Sequence, residues 1–186
     1  ICGNAGSYSA GAGIYYHFPI FIKAGSTIGV RGNSTVATAF NVFAKLLIQP
    51  ASAEMLRVGS FCEVIGTTGN AGTTVTAGTT SDGTWTSLGT TTKKCWWWQL
   101  GCQVVSSDTS HNAVVYHLDL AYGNATNKVM LMENIHFWTS ASENAQMYIL
   151  DNGVEFDVPA NSTLYARAQC SGTADSLRMK AYGVGG

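Results

Sequence analysis

His117 and Asp119 are the residues of this sequence whose types and separation first suggest metal binding or catalysis. They lie in the run 114–122, where apolar and polar residues alternate as they do in a β-strand. On such a strand both side chains share one face, ~6.6 Å apart. They could ligate a metal, or act as a base and its orienting group. Because the sequence places no third ligand, a solvated polar strand face is favoured, and no metal or cofactor is expected.

Two carboxylates, Glu155 and Asp157, flank Phe156 and raise the question of glycoside hydrolysis. Such a reaction needs two carboxyl groups that face each other across a cleft. Two residues on one short extended segment do not establish a cleft. The sequence also lacks the G-x-S-x-G, H-E-x-x-H and P-loop patterns. No catalytic residue is therefore predicted, and the chain is not expected to be an enzyme.

The run Trp96-Trp97-Trp98, with Trp85 and Trp138, is the main aromatic feature. Exposed aromatic faces suit sugar rings and protein partners alike. In a strand, Trp96 and Trp98 share a face with Leu100, Cys102 and Val104, and we predict that this face is core. Trp97 then points outward, where it contacts either a neighbouring subunit or a glycan.

The five cysteines fit no metal-binding pattern. If 95–102 is one strand, Cys95 and Cys102 are ~23 Å apart and point to opposite faces, which disfavours a disulfide. Cys170 shares a face with Leu164, Ala166 and Ala168, and is expected to be a small buried hydrophobe.

Composition favours strands and turns. Of 186 residues, 46% are hydrophobic and only 11% are charged, and three prolines interrupt the chain. An ordinary soluble domain has about 25% charged residues. The net charge is −1 and no basic run occurs, which argues against nucleic-acid binding. No apolar run reaches the roughly 18 residues of a membrane helix, so no membrane partner is expected. A weakly charged surface suits a chain that is packed into an assembly.

An internal repeat suggests two related units. The segment Ala24–Gly32 returns as Ala160–Ala168, with Gly25 and Asn161, which tolerate positive φ, at matching positions. Arg31 and Arg167 also match, and each is either solvated or paired with a carboxylate of a neighbouring subunit. The run 67–83, rich in Gly and Thr, reads as a linker or a long surface excursion. We expect two tandem copies of one β domain, with the early strands of the first copy upstream of Ile1.

Three segments carry a resemblance to a known family: Tyr116–Gly123, Val129–Asn134, and the turn at Pro159–Thr163 that leads into a strand with Arg167. They resemble a β module of structural proteins of tailed bacteriophages. Residues 14–48 match its second half, and residues about 81–186 match the whole. The resemblance implies a jelly-roll-like sandwich located on the virion, in the head, the tail or a fibre.

The sequence therefore predicts an all-β, jelly-roll-like β-sandwich in two tandem related copies. Residues 1–75 would hold a partial copy plus linker, and 76–186 a complete one. The expected function is that of a non-enzymatic virion component that packs against itself and against a capsid or tail lattice protein. A carbohydrate- or receptor-binding module is the alternative, with Trp97, Arg31 and Arg167 as candidate contacts. A secreted adhesin or filament subunit is a third.

Overall fold

The protein is all-β, as the sequence predicts. The computed structural model describes residues 18–29, 57–67, 72–104, 114–139, 146–148, 153–172 and 176–186, and within these ranges there are ten strands and no helix. The strands are β1 (Phe61–Ile65), β2 (Thr73–Gly78), β3 (Thr86–Thr90), β4 (Cys95–Val104), β5 (Val115–Gly123), β6 (Lys128–Thr139), β7 (Gln146–Tyr148), β8 (Val154–Val158), β9 (Thr163–Cys170) and β10 (Ser176–Gly185). The described part of the chain accordingly holds no helix that could cross a membrane.

The first sheet is built around β10. On one side β10 pairs antiparallel with β4, whose far edge carries β8. On its other side β10 pairs with β1 along one half and with β2 along the other. β1 and β2 therefore act as one interrupted strand, and the order across this sheet is β1/β2–β10–β4–β8.

The second sheet is built around β9. β9 pairs with β5, β5 with β6, and β6 with the short β7. The other side of β9 is covered by β3 and by the last two residues of β2, which run parallel to it. β2 thus passes from one sheet to the other. The order β3–β9–β5–β6 facing β1/β2–β10–β4–β8 is that of a jelly-roll-like sandwich.

The core lies between the sheets and follows the alternation in the sequence. Every second residue of β9 is buried, and β10 repeats this pattern over most of its length. Alternation places one set of side chains inside because successive residues of a strand point to opposite faces. The largest fully buried core side chains are Trp98, Tyr116, Phe137, Leu120, Leu164, Leu177 and Met179. Cys170 is buried among them, which confirms the prediction for that residue.

The sandwich begins before the predicted division at residues 75 and 76. β1 pairs with β10, and Thr73–Thr76 of β2 pair with β10 as well. The interpretation of 67–83 as a linker is therefore wrong for Thr73–Gly78, because their Thr and Val side chains suit a pleated strand. Most of the predicted N-terminal copy lies outside the described residues, so the tandem copies stay a prediction.

The two turns of the repeat do have the predicted backbone. Gly25 has φ of 82° and Asn161 has φ of 62°. Both values lie in the left-handed region, which glycine and asparagine tolerate better than other residues. The matched positions therefore share a conformation as well as a residue type.

Candidate functional site

The tryptophan run on β4 divides between two clusters. Cys95 and Trp98 belong to the core between the sheets, whereas Trp96 and Trp97 pack in a separate cluster with Val184. The prediction that Trp96 shares the core face of Trp98 is wrong. The pairing of β4 with β8 shifts register between Cys95 and Trp97, and strict alternation stops at such a bulge.

Trp97 is covered by an extended segment at the start of the described chain. We call residues 18–29 the strap. Phe18 lies edge-on to the Trp97 ring at 5.8 Å and to the Tyr182 ring at 5.7 Å, both between ring centroids. Ile20 packs in the same cluster. As a result only 6% of Trp97 is exposed. Trp97 does point away from the core, as expected, but its outer face is occupied by its own chain.

Two backbone hydrogen bonds hold the strap in place. The Gly59 N–H donates to the Pro19 carbonyl at 2.7 Å, and the Phe21 N–H donates to the Gly59 carbonyl at 2.9 Å. These bonds form a parallel bridge between Ile20 and Gly59, just before β1. A side chain at Gly59 would collide with Val184 of β10, so glycine lets this segment lie close to β10. The strap thus extends the β1 edge of the first sheet.

Beyond this anchor the strap is open to solvent. All nine residues from 21 to 29 are exposed, including Phe21 (62%), Ile22 (41%) and Ile28 (45%). An exposed large apolar residue is common singly, but several on one short segment indicate a contact surface. The repeat contains Ile28, but no sequence pattern predicted that these three side chains would be exposed together.

Two polar side-chain atoms of β4 are buried and lack hydrogen bonds. They are Nε1 of Trp96 and Oε1 of Gln99, neither of which has a partner in the described part of the chain. Gln99 lies opposite Tyr182 on the face of β4 that points away from the core. A buried polar atom without a partner is costly and is rare in folded proteins. The outer side of β4 is therefore the part of the sandwich where polar groups remain unsatisfied.

Arg167 does lie on the outward face of β9, as predicted, but both its partners are within its own chain. Its Nε donates to Oδ2 of Asp119 at 2.7 Å, and its Nη2 lies 2.8 Å from Oδ2 of Asp82. The guanidinium also stacks on the Trp85 ring, 4.5 Å from its centroid. This network ties the segment around Asp82 to the second sheet. Arg31, the matched residue of the repeat, lies outside the described residues.

Asp119 and His117 have different surroundings, contrary to the interpretation of both as a solvated face. Asp119 is 3% exposed and accepts a second hydrogen bond from the Asn134 N–H at 2.7 Å. Asn134 has a positive φ of 53°, which directs that N–H toward the carboxylate. His117 instead stacks on His136 of β6. The partners of Asp119 and His117 lie on other strands, β9 and β6. Spacing along β5 alone could therefore not identify them.

The carboxylates before Pro159, Glu155 and Asp157, are both exposed and lie on one edge strand, β8. Asp157 pairs with Arg57 and with Lys94, each at 3.1 Å. The hydrogen bond from Lys94, followed by that from Arg57, lowers the pKa of Asp157. Arg57 also lies over the Trp96 ring, 4.5 Å from its centroid. These contacts fasten β8 to β4 and to the segment before β1.

Cys95 is a buried free thiol, so it forms no disulfide with Cys102. Burial, with the nearby Glu63 carboxylate, raises the pKa of Cys95 to about 12. A thiol that stays protonated is a poor nucleophile and a poor metal ligand. Within the described ranges, no group of three or more His, Cys, Asp or Glu side chains could hold a metal ion.

Comparison of the chain with protein-family models, with curated proteins and with solved structures found no match.

Proposed function

We propose that this chain is a non-enzymatic structural component of a tailed-phage particle. It decorates or stabilises the capsid or tail by packing against copies of itself and against a lattice protein. The observation that carries the proposal is the strap. A sandwich with a well-buried core still presents Phe21, Ile22 and Ile28 to solvent on one extended segment. Removing apolar area from water contributes about 25 cal/mol per Å², so this segment favours association.

The two edges of the first sheet support a contact on the strap side. The β8 edge carries the exposed acids Glu155 and Asp157, and charged edges discourage pairing with another chain. On the opposite edge β1 presents Val64, which is 44% exposed, and the strap adjoins its start. The only acid of β1, Glu63, is engaged by the Thr92 and Lys93 backbone N–H groups. The apolar side of the sheet therefore suits a subunit contact better than the charged side.

The three adjacent tryptophans of the carbohydrate-binding alternative are covered. A sugar ring stacks on an aromatic face that is open to solvent. Trp96, Trp97 and Trp98 are all buried, and Phe18 stands at Trp97 where a sugar would stack. This burial favours a structural function over a carbohydrate-binding one.

The assignment to a phage rests on the resemblance of the segments around Asp119 and Pro159 to structural proteins of tailed phages. A jelly-roll-like sandwich agrees with it, since capsid proteins use this architecture. The same architecture serves lectins and cupins, so the fold alone does not choose among them.

Mass photometry and negative-stain imaging of the native material test the proposal. We expect the protein in a symmetric array on a particle, and the purified chain as an oligomer. A chain that stays monomeric and does not bind its particle overturns the proposal. Binding to a glycan array by such a monomer would establish the carbohydrate-binding function instead.

A further inference from the structure

Two histidines face each other on the outer side of the second sheet. His117 of β5 and His136 of β6 are direct partners in the antiparallel pairing of these strands. Their ring centroids are 4.5 Å apart, and the ring planes differ by 29°. His117 is half-buried and His136 is exposed. The pair is thus fixed by the backbone and reachable from solvent.

The ring nitrogens of this pair are not used elsewhere in the described structure. Within the described residues, neither ring has a hydrogen bond or an ion pair, and the rings stack on each other. Asp119, the nearest acid along β5, is already bonded to Arg167 and to the Asn134 N–H. A neutral imidazole with an unshared nitrogen lone pair is the usual protein ligand for zinc, nickel and copper.

We propose that His117 and His136 together bind one divalent transition-metal ion of the zinc, nickel and copper class. A zinc ion lies about 2.0–2.1 Å from each ligating nitrogen. Side-chain rotation is enough to bring two rings on adjacent strands to this distance, because directly opposed Cβ atoms lie about 4.5–5.5 Å apart. The described residues supply two ligands, so water molecules fill the remaining coordination positions of the ion. This site is independent of the proposed assembly, since it lies on the second sheet.

The backbone around the pair is rigid enough to hold the geometry. β5 is paired on both sides, with β9 and with β6, and β6 is paired beyond His136 with β7. Two ligands held on a rigid frame bind an ion more tightly than two separate ligands do. The gain from holding a second ligand in place is about 100-fold or more.

Titration of the full chain with nickel, measured by isothermal calorimetry, tests the site. We expect one ion per chain, and an affinity about 100-fold lower in His136→Gln and in His117→Gln. His111→Gln is the matched control, since it removes a histidine outside the pair, and Cys62→Ser removes the exposed thiol. Both control variants should bind as the unaltered chain does.

Nitrogen-15 spectra of the histidine rings provide a second readout with zinc. Zinc should shift the ring signals of two histidines, and these should be the signals that disappear in the His117 and His136 variants. Amide spectra of each variant establish that it is folded. Equal binding by His136→Gln and the unaltered chain overturns the proposal, and so does a lack of binding below about 1 mM metal.

Discussion

Asp119 is the residue whose removal should cost the most stability among the polar groups of the second sheet. Its buried carboxylate accepts hydrogen bonds from Arg167 and from the Asn134 N–H. Asp119→Ala leaves both donors without this acceptor. Arg167 keeps Asp82 as a partner, so the cost is that of a lost charged hydrogen bond and an unsatisfied N–H, about 1.5–3 kcal/mol. Urea denaturation should show a loss of that size in the free energy of unfolding.

Asp82→Ala is the control, because Asp82 pairs with the same arginine from a more exposed position. A surface ion pair contributes about 0–1 kcal/mol, so this variant should lose less than Asp119→Ala. Equal losses in the two variants would contradict the buried network around Asp119.

Replacement of Asn161 by glycine should preserve the stability of the protein, whereas replacement by alanine should reduce it. Its φ of 62° is left-handed, and its N–H donates to the Thr91 carbonyl at 2.8 Å. A side chain with a Cβ costs about 1–2 kcal/mol in this conformation, and asparagine offsets part of that cost. Thermal unfolding should therefore show Asn161→Ala destabilised and Asn161→Gly close to the unaltered chain, as Gly25 at the matched position suggests. If alanine is tolerated as well as glycine, the turn does not need a left-handed residue.

Cys95 should make the protein less stable at alkaline pH. Burial raises its pKa from 9.0 to about 12 in the folded state. Between these values the unfolded thiol loses its proton while the folded one keeps it, so the free energy of unfolding falls as pH rises. The fall begins near pH 9, where the unfolded thiol starts to lose its proton. Denaturation of Cys95→Ser at pH 8 and pH 10 should show a smaller loss, and equal losses in both proteins would contradict the shift.

β4 illustrates how far a sequence pattern predicts an element. Alternation correctly placed Trp98, Leu100 and Cys102 on the side of the core, because those residues follow a regular pleat. It failed for Trp96, because the register shift beside β8 depends on a strand some 60 residues away. The outward directions of Trp97 and Arg167 were likewise predictable. Their partners Phe18, Asp82 and Asp119 were not predictable from the sequence, because tertiary packing brings these residues together from distant parts of the chain.

Substitutions should distinguish two parts of the strap, the anchor at Phe18 and the exposed segment that begins at Phe21. Phe18→Ala removes the ring that covers Trp97, so tryptophan fluorescence should shift to the red and acrylamide quenching should increase. The loss of this half-buried ring should cost about 1–2 kcal/mol of stability. Phe21→Ala, three residues along and mostly exposed, should change neither fluorescence nor stability. If Phe18→Ala leaves quenching unchanged, Trp97 is protected by something other than the strap.

At the scale of the whole molecule, three of the seven large hydrophobic side chains that are exposed in the described residues lie on the strap. The β8 edge carries ion pairs beside one exposed ring, Phe156, and the outer face of β5 and β9 carries the ion pairs of Arg167. The strap instead combines three exposed apolar side chains with a neighbouring β1 edge that presents Val64. This concentration predicts a directional contact, since the strap side of the sandwich gains most by covering apolar area.

Replacing Phe21, Ile22 and Ile28 together by serine should therefore abolish self-association and leave the fold intact. The three side chains are exposed, so the stability of the monomer should change by less than about 1 kcal/mol. Val115 and Val129 are also exposed but lie on the second sheet, and their replacement by serine should leave the oligomer unchanged. Mass photometry and thermal unfolding of both variants make the comparison.

Association by apolar burial should also survive a rise from about 0.05 M to about 0.5 M NaCl, whereas association through exposed charges would weaken. If salt dissociates the oligomer while the triple serine variant still assembles, charged surfaces hold the subunits together and the strap does not.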